Sequence, residues 1–266
     1  MTGSGSGRLG GRHAVVTGGG RGIGAAIASA LAAEGAHLTL MGRTTSAIEQ
    51  HADALQRTYG VHTHAWTVDV TDEAAVGRAF ADAAERSGPI QVLVNNAGQA
   101  EAAPMRDLTL ESWERMLRVN LTAPFLCIKQ VLPAMIAARA GRIVTVASTA
   151  ALKGYAGIAG YCASKHGVVG LTRALAAETA RDGITVNAVC PGYTDDTDMF
   201  RSAVENVSRA TGRSPDEARV ILARQSPRGV LITPTEIADT VVWLCSPGAS
   251  AITGQAIAVA AGEVMR

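Results

Sequence analysis

The chain has 266 residues, 47% apolar and 18% charged, and a formal net charge of +1. So balanced a charge, with no Lys/Arg block or basic stripe, excludes an electrostatic nucleic-acid binder, and no uninterrupted apolar run approaches the ~18 residues a membrane span needs. A soluble α/β protein with one large core is expected at this length.

The first residues, through Gly7, are rich in Gly and Ser and lack the apolar segment of a secretory signal. They read as part of a flexible leader over residues 1–10, ahead of one domain at 11–266. His13–Thr17 is a short apolar strand, followed by Gly18-Gly19-Gly20-Arg21-Gly22-Ile23-Gly24 and an Ala-rich helix that stops at Gly35. Strand, glycine turn and helix form the setting of a phosphate-binding turn. Glycines let the backbone approach a pyrophosphate, and the helix N-terminus offers free N–H groups and a positive dipole end. The spacing Gly18-x-x-x-Gly22-x-Gly24 differs from the general dinucleotide fingerprint Gly-x-Gly-x-x-Gly.

Units of the same kind follow. Residues 38–41, 63–68 and 92–95 read as strands and 46–59 and 73–86 as helices, which predicts a parallel sheet covered on both faces. A long helical stretch over 110–138 is expected to be interrupted at Pro124 and Pro133. Strand 143–147, helix 161–180 and strand 185–189 come next, the last ended sharply by Cys190-Pro191-Gly192-Tyr193. The pattern then changes. Ser214-Pro215-Asp216-Glu217 has capping-box spacing, so the insert at about 194–229 reads as two short helices split near Gly212. Thr233-Pro234-Thr235-Glu236 repeats the box, with Ile232 and Ile237 as a hydrophobic staple, and residues 256–260 form the seventh strand.

Tyr161 and Lys165 stand four apart, so a helix places them on one face. A free phenol titrates near ~10, and an adjacent ammonium favours the phenolate and lowers that value. The pair is therefore a candidate general acid/base. Ser148, at the end of the fifth strand, offers a hydroxyl at the rim of the sheet that can orient a carbonyl toward Tyr161.

Taken together, Thr17-Gly18-x-x-x-Gly22-Ile23-Gly24, Asp69-Val70, Asn95-Asn96-Ala97-Gly98, Asn120, Ser148, Tyr161-x-x-x-Lys165 and Pro191-Gly192 resemble the short-chain dehydrogenase/reductase family from about residue 11 to 262. The resemblance implies an NAD(P)-dependent oxidoreductase on a single-domain, seven-stranded Rossmann sheet, with Asn120, Ser148, Tyr161 and Lys165 as the catalytic four. It implies that Asp69 and Val70 line the adenine pocket and that Asn96, Ala97 and Gly98 lie along the cofactor. Pro191, Gly192 and a threonine, Thr194 or Thr197 with Thr194 preferred, would meet the nicotinamide end. Asn120 would interrupt its helix and hold a water that links Lys165 to solvent.

NAD-preferring relatives place an acid at the end of the second strand, where it binds ribose hydroxyls and repels a 2′-phosphate. Here Met41-Gly42-Arg43-Thr44 has none, and Arg21 can approach the same place, so NADP(H) is expected. The segment after Gly192 closes over substrate in the family. Its arginines, at 201, 209, 213, 219, 224 and 228, suit the phosphates of coenzyme A or a phosphopantetheine carrier. Reduction of a 3-oxoacyl thioester is the expected reaction, with another ketone reductase or alcohol dehydrogenase, acting on a sugar, cyclic alcohol or polyketide, as the alternative. An NADP-binding regulator without turnover would tolerate loss of Ser148, Tyr161 or Lys165, and all three are present.

Other residues read as background. Cys127, Cys162, Cys190 and Cys245 form no Cys-x-x-Cys pair and suggest buried thiols in a reducing cytoplasm. His62 and His64 alternate with no third metal ligand beside them. Tyr155 reads as a wall of the substrate pocket, Trp113 and Trp243 as helix residues packed on the sheet. The departure Ala260-Ala261-Gly262 from the family's usual Asp-Gly-Gly leaves the part played by the C-terminus open. By family analogy, the long helices at 110–138 and 160–181 would pair subunits into a homotetramer.

Overall fold

Every residue of the first strand, β1 (His13–Thr17), is buried, with Ala14 and Val16 facing one core and Val15 the other. Such a strand needs cover on both sides, and the rest of the chain supplies it. The computed structural model describes residues 7–265. After β1 come α1 (Gly22–Ala33), β2 (His37–Gly42), α2 (Thr45–Tyr59), β3 (Thr63–Thr67), α3 (Glu73–Ser87) and β4 (Ile90–Asn95). Helices α4 (Leu110–Leu117) and α5 (Ala123–Ala138) lead to β5 (Gly141–Val146), α6 (Ala159–Thr179) and β6 (Ile184–Pro191). Helices α7 (Asp198–Thr211), α8 (Pro215–Ala223) and α9 (Pro234–Cys245) precede β7 (Ala256–Val259).

All strand pairs are parallel, in the order β3-β2-β1-β4-β5-β6-β7. Ile27 and Leu31 of α1, Ile48 and Leu55 of α2, and Ile237 and Val241 of α9 cover one face. Val76 and Phe80 of α3, Leu126 and Val131 of α5, and Leu175 of α6 cover the other. Each of these side chains contributes about 1.5–3 kcal/mol by leaving water. The result is the Rossmann arrangement, and the order reverses between β1 and β4, where a crevice opens at the carboxyl ends of the strands.

Several expectations need correction. The chain is packed from Gly7 onward: a Cβ on Gly7 would lie 2.2 Å from the Glu34 carbonyl oxygen, Arg8 pairs with Glu34, and Leu9 is wholly buried. The remainder of the expected leader, residues 1–6, lies outside the described residues. The stretch 110–138 is not broken at its prolines. Its irregularity is a π turn at Arg118–Thr122, where the Ala123 N–H donates to the Arg118 carbonyl, and α5 continues through Pro133. The wide turn falls just ahead of Pro124, whose missing N–H would leave a regular helix with an unpaired carbonyl at Asn120. This run is long and apolar enough to cross a bilayer by length and composition, but it packs against α3, β4 and β5.

Pairing in β6 also runs past the expected stop, through Cys190↔Ala258 and Pro191↔Val259. Pairing with β5 ends at Val146↔Val189, so the proline nitrogen has no ladder partner to lose there. Gly192 resumes bonding to β7, its N–H 3.1 Å from the Val259 carbonyl. Trp243 is 40% exposed, not packed on the sheet, and Trp113 sits half-buried against Gly160 of α6. Both capping boxes form, Gly212 ends α7 in a left-handed conformation, and the Ile232–Ile237 staple is buried. All four cysteines are free and buried.

Candidate active site

The glycine turn after β1 is fixed from behind by the turn after β4. The Thr17 hydroxyl oxygen accepts from the N–H groups of Asn96 (3.0 Å) and Ala97 (3.1 Å), and Asn96 Nδ2 donates to the carbonyls of Thr17 (2.9 Å) and Gly18 (3.2 Å). Gly18 and Gly22 have φ of 67° and 53°, in the left-handed region that favours glycine. A Cβ on Gly24 would lie 2.1 Å from the Gly18 carbonyl oxygen, so the helix can start this close to the strand only with glycine there. This cradle, opening onto the N-terminus of α1, suits the pyrophosphate of a dinucleotide. Asn96 thus braces the turn as well as lining the cleft.

The cleft has a volume of about 760 Å³. Gly18, Arg21, Gly22, Ile23, Gly24, Arg43, Asp69, Val70, Asn96, Ala97 and Gly98 line it, and Ser148, Tyr161, Lys165, Pro191, Gly192, Thr194 and Thr197 extend it. Arg43 is exposed at its edge. Burial alone would raise the Asp69 carboxyl, but hydrogen bonds from the Thr71 N–H (2.9 Å) and hydroxyl (2.8 Å), helped by Arg43, hold it below its ordinary value. Arg21 does not stand free. It pairs with Asp198 at the start of α7, 2.9 Å away.

Ser148 follows β5 with its oxygen accepting from the Ala150 N–H at 3.1 Å, which leaves its own proton to donate. Tyr161 and Lys165 rise from α6, both buried. The ammonium makes no hydrogen bond to the phenol oxygen: Nζ donates to the Val146 carbonyl at 2.9 Å and lies 5.6 Å from the Tyr161 ring centroid. Burial pushes the Tyr161 phenol up to about 12, outweighing the opposing effect of Ser148, and pushes Lys165 down to about 8. The lowering of the tyrosine expected from spacing is therefore reversed, because desolvation dominates where the ammonium is turned toward a backbone carbonyl. At neutral pH the phenol carries its proton.

Asn120 sits in the π turn and clasps Gln99, accepting from its N–H at 3.0 Å and donating to its carbonyl at 2.9 Å. A Cβ on Gly98 would lie 2.9 Å from Asn120 Oδ1 and 3.6 Å from Lys165 Nζ, so Gly98 is what lets the three elements meet. Between the two threonines, Thr197 donates to the Thr194 carbonyl and accepts from the Phe200 N–H as the cap of α7. Thr194 donates to the Gly192 carbonyl and keeps its lone pairs for a ligand N–H. Reasoning from the sequence missed Gln99, Thr149 and Glu263. Glu263 lies far along the chain, with no motif around it, yet it reaches the Tyr155 hydroxyl.

A Rossmann sheet with a glycine cradle at its switch point and a Ser, Tyr and Lys on the cleft floor defines a nicotinamide-dependent oxidoreductase acting between carbonyl and alcohol. The chain belongs to the short chain dehydrogenase family, whose model matches residues 12–208. It is 41% identical over 251 residues to a putative ketoacyl reductase of Streptomyces coelicolor, covering 94% of this chain and 95% of that protein. It is 35% identical to the 3-oxoacyl-(acyl-carrier-protein) reductase FabG of Aquifex aeolicus, over 96% of this chain and 98% of that one. Among solved structures, a variant of actinorhodin polyketide ketoreductase crystallised with NADPH superposes with a TM-score of 0.91 at 40% identity, covering 95% and 97% of the two chains. Levodione reductase superposes at 0.90 with 32% identity, over 96% and 98%.

Proposed function

We propose that this enzyme uses NADPH to reduce a ketone to a secondary alcohol, and that the ketone is the 3-oxo group of an acyl thioester on coenzyme A or a carrier protein. The observation that carries the chemistry is the placement of the buried Tyr161 phenol in one cleft with Ser148 and Lys165, where desolvation favours its protonated form. The nucleotide, when bound, supplies the hydride. Tyr161 donates its proton to the carbonyl oxygen, and Ser148 hydrogen-bonds the same oxygen where charge develops. Lys165 offers positive charge beneath the phenol and reaches toward the nicotinamide ribose. Asn120, in the π turn, would hold a water that links Lys165 to solvent and completes a proton relay. The cradle from Gly18 to Gly24 holds the pyrophosphate, Asp69 and Val70 the adenine, and Thr194 the nicotinamide amide.

The preference for NADP(H) is supported by the absence of a carboxylate in Met41-Gly42-Arg43-Thr44 and by Arg43 at the cleft edge. The thioester is supported by the ketoacyl reductases among the relatives and by Arg209, Arg213, Arg224 and Arg228, which form no salt bridge among the described residues. The other two flap arginines are engaged, Arg201 with Asp196 and Asp198, Arg219 with Asp195. A cyclic ketone is the second reading, favoured by the aromatic lining of Tyr155, Tyr193 and Phe200 and by the likeness to levodione reductase. The same proposal takes the enzyme to be a cytoplasmic homotetramer, in keeping with its buried free thiols and with Phe125 and Ile136 exposed on α5.

The test is NADPH consumption with acetoacetyl-CoA, ethyl acetoacetate, cyclohexanone and 1-tetralone. Turnover of the thioester above the others is expected. Turnover of the cyclic ketones alone would select the second reading, and consumption with none would overturn both.

A further inference from the structure

Strand β7 ends at Val259, and the chain then turns back on itself. The Glu263 N–H donates to the Ala260 carbonyl at 3.0 Å, closing a turn whose central residues, Ala261 (φ 48°) and Gly262 (φ 88°), are both left-handed. Alanine adopts that conformation only at a cost, so other contacts must hold it. Those contacts converge on the Glu263 carboxylate, which is 2% exposed. Lys153 Nζ lies 3.2 Å from it, and the Tyr155 hydroxyl is hydrogen-bonded to it. The Tyr155 oxygen also lies 2.7 Å from the Thr149 hydroxyl. A phenol has one proton, and a carboxylate can only accept, so the chain of donors runs from Thr149 to Tyr155 to Glu263. Lys153 Nζ further sits 4.7 Å from the centroid of the Tyr155 ring. Gly192 leaves the space required, since a Cβ there would lie 2.9 Å from Glu263 Oε2.

Glu263 itself does not line the cleft, whereas Thr149, Tyr155, Gly192 and Tyr193 do. We propose that Glu263 is a positioning residue for substrate: it takes the only proton donor of Tyr155, fixes the ring as a pocket wall, and so prevents Tyr155 from competing with Tyr161 for the substrate oxygen. The proposal rests on the reading of this site as a ketone reductase. Burial, reinforced by Glu263, holds the Tyr155 phenol far above its ordinary value, which keeps the proton on it.

The experiment uses the full chain with NADPH and whichever ketone of the panel it reduces best. Glu263→Gln is expected to raise KM for the ketone about five- to twentyfold, less than the full loss of a charged hydrogen bond because Glu263 acts on substrate only through Tyr155. It should leave kcat and the NADPH Kd within about twofold. Tyr155→Phe should raise KM as well, and the double variant should be no worse than the poorer single one. In hydrogen exchange, the Glu263 amide should be protected in the parent and lose protection in Glu263→Gln. An unchanged KM in the folded variant, or equal losses in NADPH affinity, would overturn the proposal. If Glu263→Gln does not fold, Tyr155→Phe decides by the same KM criterion. If the parent reduces no ketone, the reductase reading fails on its own, and exchange then tests the clamp: an unprotected Glu263 amide overturns it.

Discussion

The guanidinium of Arg21 and the carboxylate of Asp198, 2.9 Å apart, tie the glycine turn to the first helix of the flap. The two side chains are 69% and 52% exposed, so the pair is worth about 0–1 kcal/mol. Its importance lies in what it does to Arg21, whose charge is drawn toward the flap and so is less available to the 2′-phosphate of the proposed NADPH.

Asp198→Asn removes that competitor. NADPH binding should tighten about two- to fivefold while NADH binding stays constant, with the difference fading at high salt. Titrations of both nucleotides by fluorescence check this, and an unaltered ratio of affinities would show that Arg21 takes no part in nucleotide choice.

Arg43 has no salt-bridge partner among the described residues and lies at the cleft edge. Replacing it with Ala should reduce the preference for NADPH over NADH by roughly tenfold, the worth of a charge-assisted hydrogen bond. The ratio of kcat/KM values for the two nucleotides is the measurement. Equal use of both by the parent protein would remove the basis for the expectation.

Tyr161→Phe should lower kcat for ketone reduction by about 10²–10⁴-fold with the NADPH Kd unchanged. The pH dependence has a definite sign. With Lys165 near 8 and Tyr161 near 12, reduction should be steady below about pH 8 and decline above it as the ammonium loses its proton. Alcohol oxidation should rise with pH, since the phenol must first be deprotonated. A reduction profile still flat at about pH 10 would remove Lys165 from the proton path.

Away from the cleft, histidines gather around the amino ends of β1, β2 and β3. His13 is buried between the Gly88 carbonyl and Thr39, and the rings of His37 and His62 are 4.7 Å apart. Burial lowers the pKa of His13, His37 and His64, and neighbouring histidines lower each further. A histidine with a folded pKa below its unfolded value of about 6.5 stabilises the fold above that pH and ceases to do so as pH falls toward the folded value. The Tm should therefore drop between about pH 7 and pH 5, and less steeply in His37→Gln. Parallel slopes in the two proteins would disprove the coupling.

Much of this architecture is legible in the sequence because its signals are local. The alternation of strand and helix, the Ser214 and Thr233 capping boxes, the stop at Gly212 and the turn from Gly18 to Gly24 each depend on residues a few positions apart. Tyr161, Lys165 and Ser148 were legible for the same reason. What escaped depends on distance along the chain or on burial. The contact of Glu263 with Tyr155 crosses 108 positions, and no spacing rule announces it. The exposure of Trp243 follows from which face of α9 meets the sheet, and the direction of the Tyr161 pKa follows from desolvation that spacing cannot reveal.

The π turn at Arg118–Thr122 holds one residue more than an α-helical turn would. Deleting a single residue there would let the rod heal into regular helix with its two flanks still in register, since the wide turn fits its extra residue into about the same rotation. The far-ultraviolet dichroism would barely register the repair. Asn120, however, would let go of Gln99, leaving a well-folded molecule in which the proposed link from Lys165 to solvent is severed.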